Sequence, residues 1–203
     1  MRRLAFGSVL LVSLLFVPTP AHAQSWSFRL SGNMYFLPDE ENYLQPTFTA
    51  DRDALHLESR YRYEDLGSTS FFAGWNLEFG DTFTLALTPM LGGLVGRTSG
   101  IVPALEGDIT WKRLEFYSEG EYVIDLGETT NSFFYNWSEL SIWTTEWLRA
   151  GLVTQRTRAY ATPRDIQRGL LIGAAGSKIE ATVYWFNPGS DDRFFVGSIG
   201  VKF

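Results

Sequence analysis

The fold class is decided by the stretch Leu55-His56-Leu57-Glu58-Ser59-Arg60-Tyr61-Arg62-Tyr63-Glu64. Apart from Ser59, apolar or aromatic residues occupy the odd positions, and charged residues or histidine occupy the even ones. This alternation predicts a strand with one apolar face and one wet face. It suits a half-buried strand of a soluble sandwich. It equally suits the wall of a membrane β-barrel, with apolar residues facing lipid and charged residues facing a lumen.

The same period of two continues along the chain and favours the barrel. The predicted connections alternate between tight turns and longer segments, which is typical of outer-membrane barrels and not of sandwiches. The longer connections are predicted at 38–43, 65–69, 94–103, 125–132, 157–167 and 187–193. The predicted strands are 26–37, 44–50, 54–64, 70–79, 82–93, 104–110, 113–124, 133–143, 147–156, 168–175, 179–186 and 194–203.

We therefore predict an all-β protein made of a single closed antiparallel transmembrane β-barrel of about twelve strands, with ten or eight as alternatives. An even number of strands places both termini at the periplasmic end, where the short turns lie. Two strands are ambiguous. Strand 44–50 contains Pro46, which cannot donate to a ladder. Strand 133–143 turns either Glu139, or Asn136 and Ser138, toward lipid.

The first 23 residues predict a cleavable signal peptide rather than a membrane helix. Two arginines precede an apolar run at 4–17 that is too short to span a bilayer. Ala21 and Ala23 form the small-residue pattern of a cleavage site. The predicted domains are thus the signal peptide over 1–23 and the barrel over 24–203.

Composition excludes several classes of function. The chain has no cysteine, which rules out disulfides, thiol catalysis and thiolate metal sites. Only His56 remains after the signal, so we predict no metal site, and no cofactor. A formal net charge of −6 without basic clusters predicts no nucleic-acid binding. An aromatic content of 16% with a mean hydropathy of −0.07 suits a β-barrel better than a helical membrane protein.

The last strand carries a second signal. Phe195, Ile199, Val201 and the terminal Phe203 share one face of 194–203. This pattern resembles the C-terminal assembly signal of Gram-negative outer-membrane β-barrel proteins. The resemblance extends over the mature chain as a pattern, and it implies the outer membrane and recognition by the barrel-insertion machinery. Size and strand count are similar to those of small monomeric porins for acidic oligosaccharides, which line their lumen with basic tracks.

The lumen predicted here is mixed to acidic instead. Charges inside a closed barrel need water or partners. We expect Glu58 to pair with Arg60 or Arg62, and Arg149 to pair with carboxylates of other strands. A turn at Trp111-Lys112 would place Asp108 opposite Glu115 in an acidic wall. The predicted lumen-lining residues are His56, Glu58, Arg60, Arg62, Glu106, Asp108, Glu115, Glu119, Glu121 and Arg149.

Three functions follow as hypotheses. The first is a narrow pore for ions or small solutes, which prefers cations if mobile cations balance the acidic wall. The second is a closed structural or surface-binding barrel whose lumen is filled by salt bridges. The third is a lipid-modifying enzyme that uses His56 as general base, with Glu58 to orient it and Ser70 as a serine candidate. No motif links these last residues, which favours a non-enzymatic barrel.

The expected partners follow from the predicted location. They are outer-membrane lipids and lipopolysaccharide, the barrel-assembly machinery, and small solutes or ions. Segment 94–103 is expected to be a loop that folds inward or caps the barrel. The arginines of segment 157–167 are candidates for contact with lipopolysaccharide phosphates.

Overall fold

A computed structural model describes residues 25–38, 40–127, 132–159 and 165–203, and within these ranges twelve antiparallel strands close into a barrel. The predicted signal peptide, with Ala21 and Ala23, lies outside the described residues, as do the side chains of 157–165. The strands are β1 Ser27–Phe36, β2 Tyr43–Arg52, β3 Leu55–Tyr61, β4 Ser68–Trp75 continued by Leu77–Phe79, β5 Phe83–Gly96, β6 Gly100–Trp111, β7 Leu114–Asp125, β8 Phe133–Trp143, β9 Leu148–Ala159, β10 Asp165–Ala175, β11 Ile179–Phe186 and β12 Phe194–Lys202.

Closure comes from the pairing of the first strand with the last. β1 pairs with β12 from Arg29↔Lys202 to Phe36↔Phe195, and every other strand pairs with its sequence neighbours. The two segments of β4 keep one register against β5 across Asn76, so they count as one strand. The predicted fold class is confirmed, with twelve strands rather than ten or eight. No helix among the described residues is long and apolar enough to cross a membrane.

Tight turns join the strands at the end where both termini lie. Asp53 and Lys112 take left-handed φ values of 55° and 57° in two of these turns. The connections at the opposite end are longer, with one exception that contradicts the sequence prediction. Segment 94–103 is not a loop, because β5 and β6 extend into it and pair as far as Leu94↔Gly100.

The two glycines of this segment lie in the barrel wall. A Cβ on Gly96 would lie 2.5 Å from the backbone oxygen of Gly67, and one on Gly100 would lie 2.6 Å from that of Ile124. The prediction of a strand at Pro46 holds, because Pro46 lies beyond the β2–β3 ladder, which runs from Thr47 to Arg52. Its missing N–H therefore costs that ladder nothing.

The outer surface is an apolar belt. Outward residues of every strand alternate with inward ones, and large apolar side chains such as Leu91, Ile172 and Ile199 are more than half exposed. Phe79, Phe83, Trp111 and Trp147 are exposed near the tight turns, as expected of an interfacial girdle. Such a surface is stable only in contact with a bilayer.

The residues of the predicted assembly signal all face outward. Phe195, Ile199, Val201 and Phe203 are exposed on β12 and at the chain end. Phe203 stacks on Phe28 of β1 with ring centroids 5.9 Å apart. The last residue therefore takes part in the seam that closes the barrel.

The half of the interior toward the long connections is packed with apolar side chains. One cluster includes Tyr35, Trp137, Phe186 and Phe194, and a second includes Phe72, Met90, Leu94, Val102 and Val123. Phe133 packs against both clusters. Together they form an apolar layer across the lumen.

Strand β8 resolves the ambiguity in its phase without a bulge. Its register with β9 is continuous from Trp143 to Phe133. Trp137 and Glu139 are buried inside the barrel, whereas Asn136 and Ser138 lie on the lipid-facing side. Trp143 also turns inward and its Nε1 donates to Glu115 at 2.8 Å, so it is not part of the girdle.

Gly151 lies where the backbones of β8 and β9 approach each other closely, and a substitution there tests this packing. A Cβ on Gly151 would lie 2.7 Å from the Cα of Ser141 and overlap the carbonyl oxygen of Leu140, whereas one on the lipid-facing Gly93 meets nothing within 4 Å. We expect Gly151→Ala to lower the free energy of unfolding by about 1–3 kcal/mol. Gly93→Ala should change it by less than about 0.5 kcal/mol. Urea unfolding of the refolded barrel measures both, and equal effects would contradict the described packing.

Candidate functional site

Arg60 is the centre of a buried ionic cluster in the lumen. Its Nε donates to Glu58, its Nη2 to Glu106 at 3.0 Å and its Nη1 to Glu121 at 3.0 Å. The side chains of Arg60 and Glu121 are each 3% exposed. Glu58 and Arg60 share a face of β3 because they are two residues apart on a strand. The other two carboxylates come from β6 and β7, so the cluster links three strands across the lumen.

This cluster, which we call the Arg60 layer, has more negative than positive charge. One guanidinium faces three carboxylates, and Glu119 lies on the same face of β7 as Glu121. An ion pair taken out of water stabilises a protein only if its geometry is good and its remaining polar atoms are bonded. One oxygen of Glu121 has no hydrogen-bond partner in the part of the chain that the structure describes. The layer is therefore not optimised for stability alone.

His56 extends the cluster toward the tight turns. Its Nδ1 lies 2.7 Å from Asp51 Oδ1 and its Nε2 lies 3.4 Å from Glu58 Oε2. Asp51 also accepts a hydrogen bond of 2.8 Å from Asn76. Both ring nitrogens of His56 thus contact carboxylates, which hold the ring in place.

The arrangement gives no support to the enzymatic hypothesis. Ser70 pairs with Arg60 rather than His56, and its hydroxyl donates to Glu64 at 2.6 Å. His56 lies opposite Gly74. Among the described residues no serine hydroxyl is bonded to the His56 ring, as a nucleophile activated by it would be.

Aromatic rings cover the Arg60 layer on the side of the long connections. The guanidinium carbon of Arg60 lies 4.5 Å from the ring centre of Tyr63 and 4.8 Å from that of Phe72. Tyr63 meets Tyr135 from the far wall edge-to-face at 5.6 Å. The gap between Arg60 and the wall at Glu106, Glu121 and Tyr135 has no room for a water-sized sphere. Arg60 is therefore packed against this wall without space for water.

Glu64 lies in the connection after β3, above the Arg60 layer. One of its oxygens accepts the hydrogen bond from Ser70, and the other has no hydrogen-bond partner within the described ranges. Burial raises the pKa of the Glu64 carboxyl. This carboxyl therefore holds its proton to higher pH than a solvated glutamate does.

A second ionic cluster surrounds Arg149 on the opposite wall. Arg149 Nη1 donates to Glu139 at 2.8 Å and lies 3.4 Å from Glu115. Tyr184 and Trp137 both donate to Glu139, at 2.7 and 2.9 Å. The side chain of Arg149 is 16% exposed. This cluster is consequently less enclosed than the Arg60 layer.

Most of the predicted lumen residues face inward, but their cross-strand partners differ from those expected. The turn is Lys112-Arg113 rather than Trp111-Lys112, so Asp108 lies opposite Tyr117 instead of Glu115. The like-charged neighbours are Glu106 and Glu119. Asp108 accepts a hydrogen bond from Thr110, and Glu119 accepts one from Tyr117.

Arg62 departs from the predicted lining. Strand β3 ends at Tyr61, and Arg62 takes a left-handed φ of 60°. Its guanidinium lies 5.2 Å from the ring centre of Tyr61. The alternation through residue 64 suggested a longer strand than the chain forms, because the connection to β4 begins here.

Sequence reasoning missed several members of the two clusters. Asp51 was placed in a turn, and Glu139 was left with an undecided phase. Trp137 and Tyr184 were not among the predicted lumen-lining residues. Two polar residues on one face of β8, Asn136 and Ser138, competed with Glu139 for the inward side. Only the neighbouring strands β7 and β9 decide between them.

A closed antiparallel barrel with an apolar belt and an ionic interior is an outer-membrane β-barrel by its fold. No family model matches the chain, and no match was found among curated proteins. Two solved structures of the KdgM porin are similar in fold. The first has a TM-score of 0.58 at 12% identity, covering 87% of this chain and 98% of that chain. The second is the KdgM porin in complex with disordered oligogalacturonate. It has a TM-score of 0.59 at 11% identity, and the match covers 87% of this chain and 99% of that chain.

Removal of the central cation tests the Arg60 layer. Arg60→Met leaves three carboxylates without their cation, so we expect the free energy of unfolding to fall by about 3–5 kcal/mol. Combining it with Glu58→Gln should recover part of the loss, because one uncompensated charge is removed. Urea unfolding in vesicles at neutral pH measures each value.

The matched control is Arg97→Met. Arg97 pairs with Asp65 at 2.8 Å, but its side chain is 70% exposed. Its loss should cost less than about 1 kcal/mol. Equal losses for Arg60→Met and Arg97→Met would show that the layer is not buried as described.

Proposed function

We propose that this protein is an outer-membrane channel for ions or small solutes, and that the conformation described above is its closed state. The observation that carries the proposal is the series of ionic groups inside the barrel. It begins near the tight turns with the ion pair between Arg29 and Glu180, passes the Arg149 cluster and ends at the Arg60 layer. Apolar residues would fill a purely structural barrel at lower cost of desolvation.

The exposure of the lumen carboxylates indicates from which end of the barrel water reaches this series of ionic groups. Near the tight turns Glu180 and Glu115 are 34% and 23% exposed, whereas Glu58 of the Arg60 layer is 4% exposed. The interior is thus wetter toward the tight turns, which form the periplasmic side of such barrels. The barrier to passage consists of the Arg60 layer and the apolar layer beyond it. Opening requires these side chains to move, because the strands themselves are tied by the closed ladder.

The charge balance favours cations. Six lumen carboxylates surround the buried Arg60 and the partly exposed Arg149, and fixed carboxylates in a narrow pore attract cations and repel anions. These carboxylates are Glu58, Glu106, Glu115, Glu119, Glu121 and Glu139. The proposed solute is therefore cationic or neutral, in contrast to the oligogalacturonate that accompanies one KdgM structure.

The same proposal assigns partners to the outer surface and to the end of the chain. The apolar belt contacts outer-membrane lipids and lipopolysaccharide. Phe195, Ile199, Val201 and Phe203 serve the barrel-insertion machinery during assembly.

A closed structural barrel is the second candidate. It is favoured by the apolar layer, in which Phe186, Val102, Val123 and Val196 are fully buried. Such packing fills a lumen as it fills a soluble core. Conductance separates this candidate from the channel.

Planar bilayers under a salt gradient provide the test. We expect brief cation-selective openings from the refolded mature chain. Arg60→Ala should raise the open fraction, because it unties β3 from β6 and β7, and Glu119→Lys should shift the reversal potential toward anions. Arg97→Met, on the exposed pair, should conduct like the parent. Absence of openings in the parent and in Arg60→Ala, with both folded, would overturn the channel and establish the closed barrel.

A further inference from the structure

The lipid-facing wall contains a depression in strands β6 and β7. Outward positions elsewhere on these strands carry large side chains such as Leu105, Phe116 and Tyr122. At the middle of the wall they carry Gly107, Ser118 and Gly120. Missing side chains at neighbouring outward positions leave a groove of about 640 Å³.

Strand register places the small residues side by side. Gly107 lies opposite Ser118, which in turn lies opposite Ser138 of β8. Gly120 lies opposite Asn136. Leu85 and Phe134 line the groove on either side. The depression therefore runs across several strands and is not an isolated gap at one glycine.

The floor of the groove is polar but self-satisfied. Asn136 donates to the backbone oxygen of Glu119 at 2.6 Å and to Ser118 at 3.1 Å. The hydroxyls of Ser118 and Ser138 are 2.9 Å apart, and Ser138 donates to Asn136 at 3.0 Å. The side chains of Ser118, Asn136 and Ser138 thus have partners within the floor, so they need no polar ligand and accept hydrocarbon contact.

We propose that this groove holds one fatty acyl chain of a membrane phospholipid. The groove lies within the apolar belt, so the medium around it is hydrocarbon. A methylene group is close in size to a water molecule, and at about 30 Å³ each the groove holds on the order of twenty such groups, about one acyl chain. A chain seated there has protein contacts on three sides, which chains elsewhere on the convex belt lack.

A second copy of the barrel fits the groove less well. Leu105, Phe116 and Tyr122 rise around the small residues and are each well exposed. A neighbouring barrel is convex, and it would meet these side chains before reaching Gly107 or Ser118. A flexible, narrow chain reaches the floor without moving them. The inference is independent of conduction, because it concerns the outside of the wall.

Photolabelling tests the proposal. The mature barrel is reconstituted in phosphatidylethanolamine vesicles that contain a trace of the same lipid with a diazirine on its acyl chain. After illumination, peptide mass spectrometry maps the adducts. We expect adducts enriched on Leu105, Phe116 and Phe134 relative to Ile172 and Ile199, which lie on other parts of the belt.

A variant with a filled groove provides a second photolabelling test, and a substitution elsewhere on the belt provides its control. A Cβ on Gly120 lies 3.7 Å from Asn136 and Phe134, and one on the lipid-facing Gly93 meets nothing within 4 Å. Gly120→Leu should reduce labelling at the groove to the level of the remaining belt. Gly93→Leu should leave it unchanged. Ser118→Leu fills the same space and replaces Gly120→Leu if that variant fails to fold.

The outcomes separate the possible occupants. Enrichment that is lost in the filled variant and kept in the control supports the acyl-chain site. Uniform labelling around the parent belt overturns it. Protein–protein cross-links between two copies at the groove, without lipid adducts, also overturn it and assign the surface to self-association.

Discussion

Every feature of this protein depends on the closure of its hydrogen-bonded sheet. In hydrocarbon an unpaired backbone group costs several kcal/mol, so a sheet that spans a membrane must have no edge. Here β1 and β12 provide the last ladder, and Phe28 and Phe203 exchange backbone hydrogen bonds of 3.0 and 2.9 Å at its end. Closure with an even number of strands brings both termini to one end. It also separates an outside from an inside, and so gives each alternate side chain its environment.

Closure then creates an interior that must be filled or wetted. Along the barrel axis, one part of the interior is filled with apolar side chains and another part is more exposed to water. Toward the long connections Phe186, Val102 and their neighbours pack as in a soluble core. Toward the tight turns the carboxylates gather around Arg60 and Arg149, and exposure increases. The ionic groups cost more to enclose than apolar ones of the same volume. Their presence at the more exposed end is therefore consistent with a cost of desolvation that is lower there than in the apolar layer.

Local patterns were sufficient for the fold but not for the site. The alternation in β3 and the outward residues of β12 depend only on a period of two, which the sequence displays directly. Register depends on the turn that joins two strands, and a turn displaced by one residue moved the partner of Asp108 from Glu115 to Tyr117. Segment 94–103 contains Gly96 and Gly100, and glycine is common in turns, whereas here both glycines lie where neighbouring backbones approach closely. The Arg60–Glu121 contact joins residues on strands that are not neighbours, and only the curvature of the closed wall brings them together.

Strands β6 and β7 show how one sheet serves two sides at once. Their inward residues, among them Glu106 and Glu121, hold Arg60, while their outward residues Gly107, Ser118 and Gly120 form the groove. Since a sheet is one residue thick, the floor of the groove is the back of the Arg60 layer, and Gly120 and Glu121 border both spaces. Alternation nevertheless keeps the two chemistries apart: a substitution at Gly120 changes the contact with lipid and leaves the lumen charges in place. A substitution at Glu121 changes the charge around Arg60. The wall can therefore serve an ionic interior and a lipid-binding exterior without a conflict between them.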